Sequence, residues 1–148
     1  MFDQEHICNF TIPKEQCVAI AAHQFKPVLI SSFTDGYLRF FDMQASRNMG
    51  RCLIRSAEEN ADATDYATHL KILPSGVHIL GVTKNGQVFL IFVQSWEPLG
   101  ITLHNLVSLN TAINSFEVSF LEPYNKWIVG TCDGKAIVYN RQDANAFK

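Results

Sequence analysis

Charge is scarce in this chain. Only 18% of its 148 residues are Asp, Glu, Lys or Arg, and the net charge is −2 at neutral pH. A general nucleic-acid binder carries a basic excess to neutralise phosphates, so that class is disfavoured. Long apolar runs are missing as well: none approaches the ~20 residues that span a bilayer. The opening "MFDQEHICNF" has neither the basic start nor the apolar core of a secretion signal. The expectation is a soluble cytoplasmic chain with no membrane partner. The cysteines (Cys8, Cys17, Cys52 and Cys132) include no C-x-x-C pair and mostly sit in apolar runs. They are expected to be free buried thiols of a reducing compartment, not disulfides or metal ligands.

Motifs that carry chemistry are absent too. There is no G-x-x-x-x-G-K-[ST] phosphate loop, no G-x-G-x-x-G and no G-x-S-x-G. His69 and His78 lack ligand spacing, and each is expected to be a satisfied structural residue. Glu58 and Glu59 stand with Asp62 and Asp65 in the polar stretch "SAEENADATD". A solvated acidic loop explains them better than paired acid–base catalysts do. The residues therefore predict no catalytic site, no metal and no cofactor, and the chain is not expected to be an enzyme.

What the sequence does contain is a repeat. "SSFTDGYLRFFD" from Ser31, "ILGVTKNGQVFLIF" from Ile79 and "IVGTCDGKAIVY" from Ile128 each read as strand, tight turn, strand. Their turn glycines are Gly36, Gly86 and Gly134, preceded by Asp35, Asn85 and Asp133. Asp-Gly and Asn-Gly are strong hairpin signals, because a two-residue turn asks for positive φ at both central positions. A further strand precedes each hairpin: "CVAIAA" from Cys17, "YATHLKIL" from Tyr66 and "INSFEVSFL" from Ile113. A fourth follows the first two: "RCLIR" from Arg51 and "GITLHNL" from Gly100. With each unit written a-b-c-d, the chain reads d, abcd, abcd, abc, where the leading d is "HICNF".

Four short antiparallel strands per unit at a period near fifty residues mark a β-propeller. The fold class expected is all-β: a propeller segment of about three four-stranded antiparallel blades, part of a larger propeller. Residues 6–10 are read as the outer strand of a preceding or closing blade, 11–55 and 56–106 as blades, and 107–148 as an incomplete blade. The near-continuous apolar run "QVFLIF" fits a sheet covered on both faces. "FTIP" and "KAIVYN" are expected on the exposed outer sides. Whether closure comes from a longer chain, self-association or a partner is open, so further blades of the same or another chain are expected neighbours.

In this register the chain resembles the WD-repeat family. Asp35-Gly36 and Asp133-Gly134 match its turn, Phe41-Asp42 falls at its Trp-Asp position, and Tyr139-Asn140 is a softened version. The middle copy has Ile91-Phe92 there, and the family's Gly-His before strand a is missing throughout. The side-chain network of regular blades is therefore expected to be incomplete. "EQCVAIAAHQFKPVLISSFTDGYLRFFDM" is similar to blades of the large centriolar and ciliary WD-repeat proteins. That resemblance implies a non-catalytic, microtubule-associated scaffold, with tubulin or other axonemal and centriolar proteins as partners and a cytoskeletal location at a cilium or centriole.

Antiparallel order assigns the loops to two rims. The d-a connections and b-c turns carry Glu58, Glu59, Asp62, Asp65, Asp35 and Asp133 against Lys84, an acidic rim. The a-b and c-d turns carry Lys26, Arg47, Arg51, Lys126 and Arg141, with Phe25, Trp96 and Tyr124 among them. Aromatic and Arg side chains concentrate binding energy, so the candidate partner-binding residues are Phe25, Lys26, Arg47, Arg51, Trp96, Tyr124 and Lys126. The alternative is a small-molecule or catalytic site at the central channel, lined by Thr68, Lys71, Asn114, Ser115 and Glu117.

Overall fold

The computed structural model describes residues 5, 8–54, 65–109, 111–119 and 126–140, and every regular element among them is a strand. The first sheet is β1 (Cys17–Ala22), β2 (Val28–Phe33), β3 (Tyr37–Asp42) and β4 (Arg47–Leu53), in that order. The second is β5 (Ala67–Ile72), β6 (His78–Thr83), β7 (Gln87–Trp96) and β8 (Leu99–Ser108). The third is β9 (Ile113–Ser119), β10 (Lys126–Thr131) and β11 (Ala136–Asn140). Neighbours in each sheet are antiparallel and consecutive in the chain. β1 lies beside β5 and β5 beside β9, so the three sheets are successive propeller blades.

The hairpin turns repeat in detail. Gly36, Gly86 and Gly134 donate their N–H groups to the carbonyls of Phe33, Thr83 and Thr131 at 3.0, 3.1 and 3.2 Å. Their φ angles are +88°, +87° and +88°, while Asp35, Asn85 and Asp133 keep negative φ. The expectation of two left-handed central residues is thus corrected. Each connection is a type I turn followed by a left-handed glycine, and this needs one positive φ instead of two.

These turns also seat the chain that leads to the next blade. Gly36 and Gly86 accept from the N–H groups of Ile54 and Leu109 at 2.9 and 2.8 Å. A side chain at Gly86 would start 2.4 Å from the carbonyl oxygens of both Leu109 and Thr111.

The core is two seams between blades. In one, Ile30, Leu38 and Phe40 meet Leu70, Ile79, Phe89 and Ile91. In the other, Leu80, Val82, Val88 and Leu90 meet Phe116, Val118, Trp127 and Val129. Consecutive residues of β6 and β7 point to opposite seams, and both seams are buried. This is why "QVFLIF" loses the polar half of its alternation. Each large side chain taken fully from water here contributes ~1.5–3 kcal/mol.

Several boundaries differ from the sequence reading. β4 begins at Arg47 and β7 runs to Trp96, so the c-d connections are shorter than expected. Residues 8–10 form no strand, and Phe10 instead stacks on Phe41 with ring centroids 4.3 Å apart. Glu58, Glu59, Asp62, Tyr124 and Arg141 lie outside the described residues.

Gly86 and Gly134 share one backbone conformation, but nothing lies within 4 Å of a Cβ at Gly134. Gly134→Ala should cost only the left-handed strain of about 1–2 kcal/mol. Gly86→Ala should cost at least about 2 kcal/mol more, because it also unseats the connection to the third blade. Urea denaturation of the two variants measures the difference.

Candidate functional site

The a-b and c-d rim of the first two blades is organised by one histidine. His23 opens the β1–β2 turn, where its own N–H donates to the Val28 carbonyl at 2.9 Å. Its Nδ1 accepts the N–H groups of Phe25 and Lys26 at 3.0 and 3.1 Å. Nε2 therefore carries the proton and donates it to the Gly76 carbonyl, 2.9 Å away in the corresponding turn of the second blade. One neutral imidazole thus shapes its own loop and ties it to the next. Gly76 takes φ +74°, and a Cβ there would stand 3.1 Å from His23 Nε2.

The second blade answers with Trp96. Its ring meets His23 edge-on at 5.5 Å and Phe40 at 6.4 Å. Trp96 is partly buried against the first seam, so it closes that seam at the rim and does not stand out as a free anchor. Phe25 does stand out. It is 79% exposed, at the tip of the turn that His23 locks, with its ring 6.2 Å from the imidazole.

Three of the described charges of this rim, Arg47, Asp42 and Glu97, are engaged with one another. Arg47 lies 3.6 Å from the Asp42 carboxylate and pairs with Glu97 of the next c-d turn. Asp42 in turn caps its own turn, accepting the N–H groups of Gln44 and Ala45 at 2.9 Å each. Arg51 is not on this rim at all. It sits within β4 opposite Arg39, its guanidinium 4.3 Å from the Tyr37 ring centre. The reason is the early start of β4, which carries Arg51 a strand's length from the turn. Lys26 is exposed, Lys126 is half-buried at the start of β10, and Tyr124 lies outside the described residues. Of the candidate residues, the structure brings Phe25, Lys26, Trp96 and Arg47 together. Sequence reasoning missed His23, whose only signal was a position two residues before Phe25.

On the opposite rim the described aspartates are engaged as well. Arg39 Nη1 and Nη2 donate to Asp35 Oδ1 and Oδ2 at 3.1 and 2.7 Å. The hydrogen bond from Arg39 holds the Asp35 carboxyl below its ordinary pKa, helped by the Tyr37 N–H. Asp65 is buried and accepts the N–H groups of Tyr66 and Asn85 at 3.0 and 3.1 Å. Asp133 accepts from the Thr131 hydroxyl, which lowers its pKa, and lies 3.6 Å from Lys135 Nζ. The aspartates here organise turns.

At the channel strands, Lys71 pairs with Glu117 at 3.4 Å, Thr68 Oγ1 lies 3.0 Å from His69 Nδ1, and the Cys132 thiol donates to Asn114 Oδ1 at 3.0 Å. Burial pushes the His69 pKa down. Among the described residues no group of three or more His, Cys, Asp or Glu is placed to hold a metal ion. The cysteines are free, but Cys17 and Cys132 are exposed and Cys8 and Cys52 half-buried. The expectation of buried thiols is corrected because Cys17 lies on an outer flank and Cys132 in a turn.

No family model and no curated protein matches the chain. A solved structure does: the β-propeller domain of Cps50 (Swd1) from Myceliophteria thermophila, with a TM-score of 0.70 at 16% identity. The match covers 87% of this chain and 39% of that one. At this identity the likeness is one of fold, and this chain spans well under half of that propeller.

Two measurements test the roles assigned here. Trp96→Ala should destabilise the protein by about 2 kcal/mol, below the range for a fully buried Trp because the ring is only partly covered. The Asp35 carboxyl has a lowered folded pKa, so its contribution is present above the ordinary carboxylate value and is lost as pH falls below about 4. Asp35→Asn should therefore flatten the acid side of the stability–pH curve below about pH 4, read by thermal melts.

Proposed function

We propose that the chain is a non-catalytic protein–protein interaction scaffold that binds through the a-b and c-d rim of its first two blades, with Phe25 as the anchor. The observation that carries this reading is a large aromatic side chain held out in solvent on a turn that does not need it for folding. His23, Gly76 and Trp96 supply the local structure, so Phe25 is left free for contact. Rigid presentation lowers the entropy lost when a partner closes over the ring. Lys26 beside it is the unpaired charge of the patch, and Arg47 with Glu97 forms a neutral polar border. A partner face with an apolar pocket and one acidic group at its margin fits this surface.

The resemblance of residues 15–43 to centriolar and ciliary WD-repeat blades makes a cytoskeletal assembly the first place to seek that partner, with tubulin among the candidates. The internal pairing of Arg47 and the mid-strand position of Arg51 take two of the expected cations out of play on the rim. Recognition here rests on the aromatic anchor more than on attraction to an acidic lattice.

Phe25→Ala is the direct test. The side chain is exposed, so the melting temperature should stay within the range of a neutral surface change, about 0.5 kcal/mol. Partner affinity, measured with proteins recovered by cross-linking to the wild-type chain, should fall at least about fivefold, as for an anchor worth more than 1 kcal/mol. Equal recovery and equal affinity with Phe25→Ala would place binding elsewhere.

A further inference from the structure

On strands b and c, positions counted from the turn glycines Gly36, Gly86 and Gly134 share a face in every blade, and Ile20, Leu70 and Phe116 correspond because each pairs with the residue five before its glycine. One face looks toward the preceding blade and the other toward the following one. On the first kind of face, Leu70 and Phe116 are 6% and 8% exposed, but their counterpart Ile20 is 64% exposed. On the second kind, Phe40 and Leu90 are both 0% exposed, but their counterpart Val138 is 55% exposed. The outer flanks of the first and third blades are thus the two halves of an interface that the protein already makes twice inside itself.

The two halves are not equally open. In the first blade Arg39 takes the place held by Phe89 and Ile137 in the others. It is buried without a neighbouring blade: Asp35 binds its guanidinium, which lies 5.0 Å from the Phe33 ring and 5.4 Å from that of Tyr37. Phe41, the counterpart of Ile91 and Tyr139, is buried too, and Phe10 is the ring stacked on it. The segment bearing Phe10 is tied down at its far end. Gln16 N–H donates to Thr34 Oγ1 at 3.0 Å, and the Thr34 hydroxyl donates to the Glu15 carboxylate. On the third blade, by contrast, Val138 and Ala136 are exposed and Ile128 is half-exposed.

We propose that residues 9–16 are an intramolecular cap, seated where a preceding blade would pack, and that it keeps the third-blade flank of a second copy from stacking there. The second copy is the occupant that the uncapped flank fits, because its third-blade flank carries the matching half of the internal seam. Such a contact is head-to-tail, so it grows into chains or a ring once the cap is lifted. The cap covers Phe41 on strand c of the first blade, whose counterpart Ile91 is fully buried in an internal seam. The exposed inner-strand residues, Val18 and Ile20, are too small an area to hold a second copy alone.

The test is the mass of the whole chain in solution, by light scattering at rising concentration. The wild type should remain at 16.7 kDa. Phe10→Ser should at least double its mass, and Val138→Glu added to Phe10→Ser should return it to the single-chain value. Three results overturn the proposal: a wild-type chain already assembled, a folded Phe10→Ser variant that stays a monomer, or assembly that survives Val138→Glu. If Phe10→Ser loses its strand circular dichroism, Phe10→Leu, which keeps an apolar residue but removes the ring stack, is read by the same criteria.

Discussion

Face-to-face burial of the middle sheet is the constraint on which the rest of the structure depends. β6 and β7 have no solvent side. Leu80, Val82, Val88 and Leu90 enter one seam, and Ile79, Phe89, Ile91 and Val93 the other. A sheet of this kind cannot fold usefully alone, since either face would be an apolar surface in water. Its stability is therefore a property of the stack. The connections between blades must hold the sheets at one spacing, which is the work of the carbonyls of Gly36 and Gly86.

The same logic separates the residues that hold the rim from those that decorate it. His23 and Trp96 belong to different blades, and both fix the first seam at its edge. They resemble binding residues in type, but their hydrogen bonds and ring contacts are internal. Phe25 has one ring neighbour and is otherwise surrounded by solvent. A side chain that folding leaves in solvent is free to meet another protein. The aspartates of the opposite rim teach the same lesson with charge: Asp35, Asp65 and Asp133 each accept hydrogen bonds from their own chain.

The outer flanks of the first and third described sheets treat the repeated interface differently. At the first blade the chain substitutes other chemistry for a neighbouring sheet: a guanidinium held by a carboxylate, and a phenylalanine from an irregular segment laid over Phe41. At the third blade the described residues keep the apolar pattern of the internal seams, with Val138 open to water. Edges and faces of this kind are where sheet proteins associate.

The sequence by itself determined the repeat, the strand order and the covered middle sheet. These follow from turn glycines at spacings of 50 and 48 and from apolar runs, both local properties of the chain. It also carried the apolar character of the outer flanks. The tertiary structure alone decided which polar and aromatic residues are free. Arg47 is paired because Glu97 of another blade reaches it, Trp96 is spent on a seam, and Arg51 rides on Tyr37 inside a strand. His23 matters through a carbonyl 53 residues away. Pairings across blades depend on the angle and spacing of the stacked sheets, and no window of sequence contains both partners.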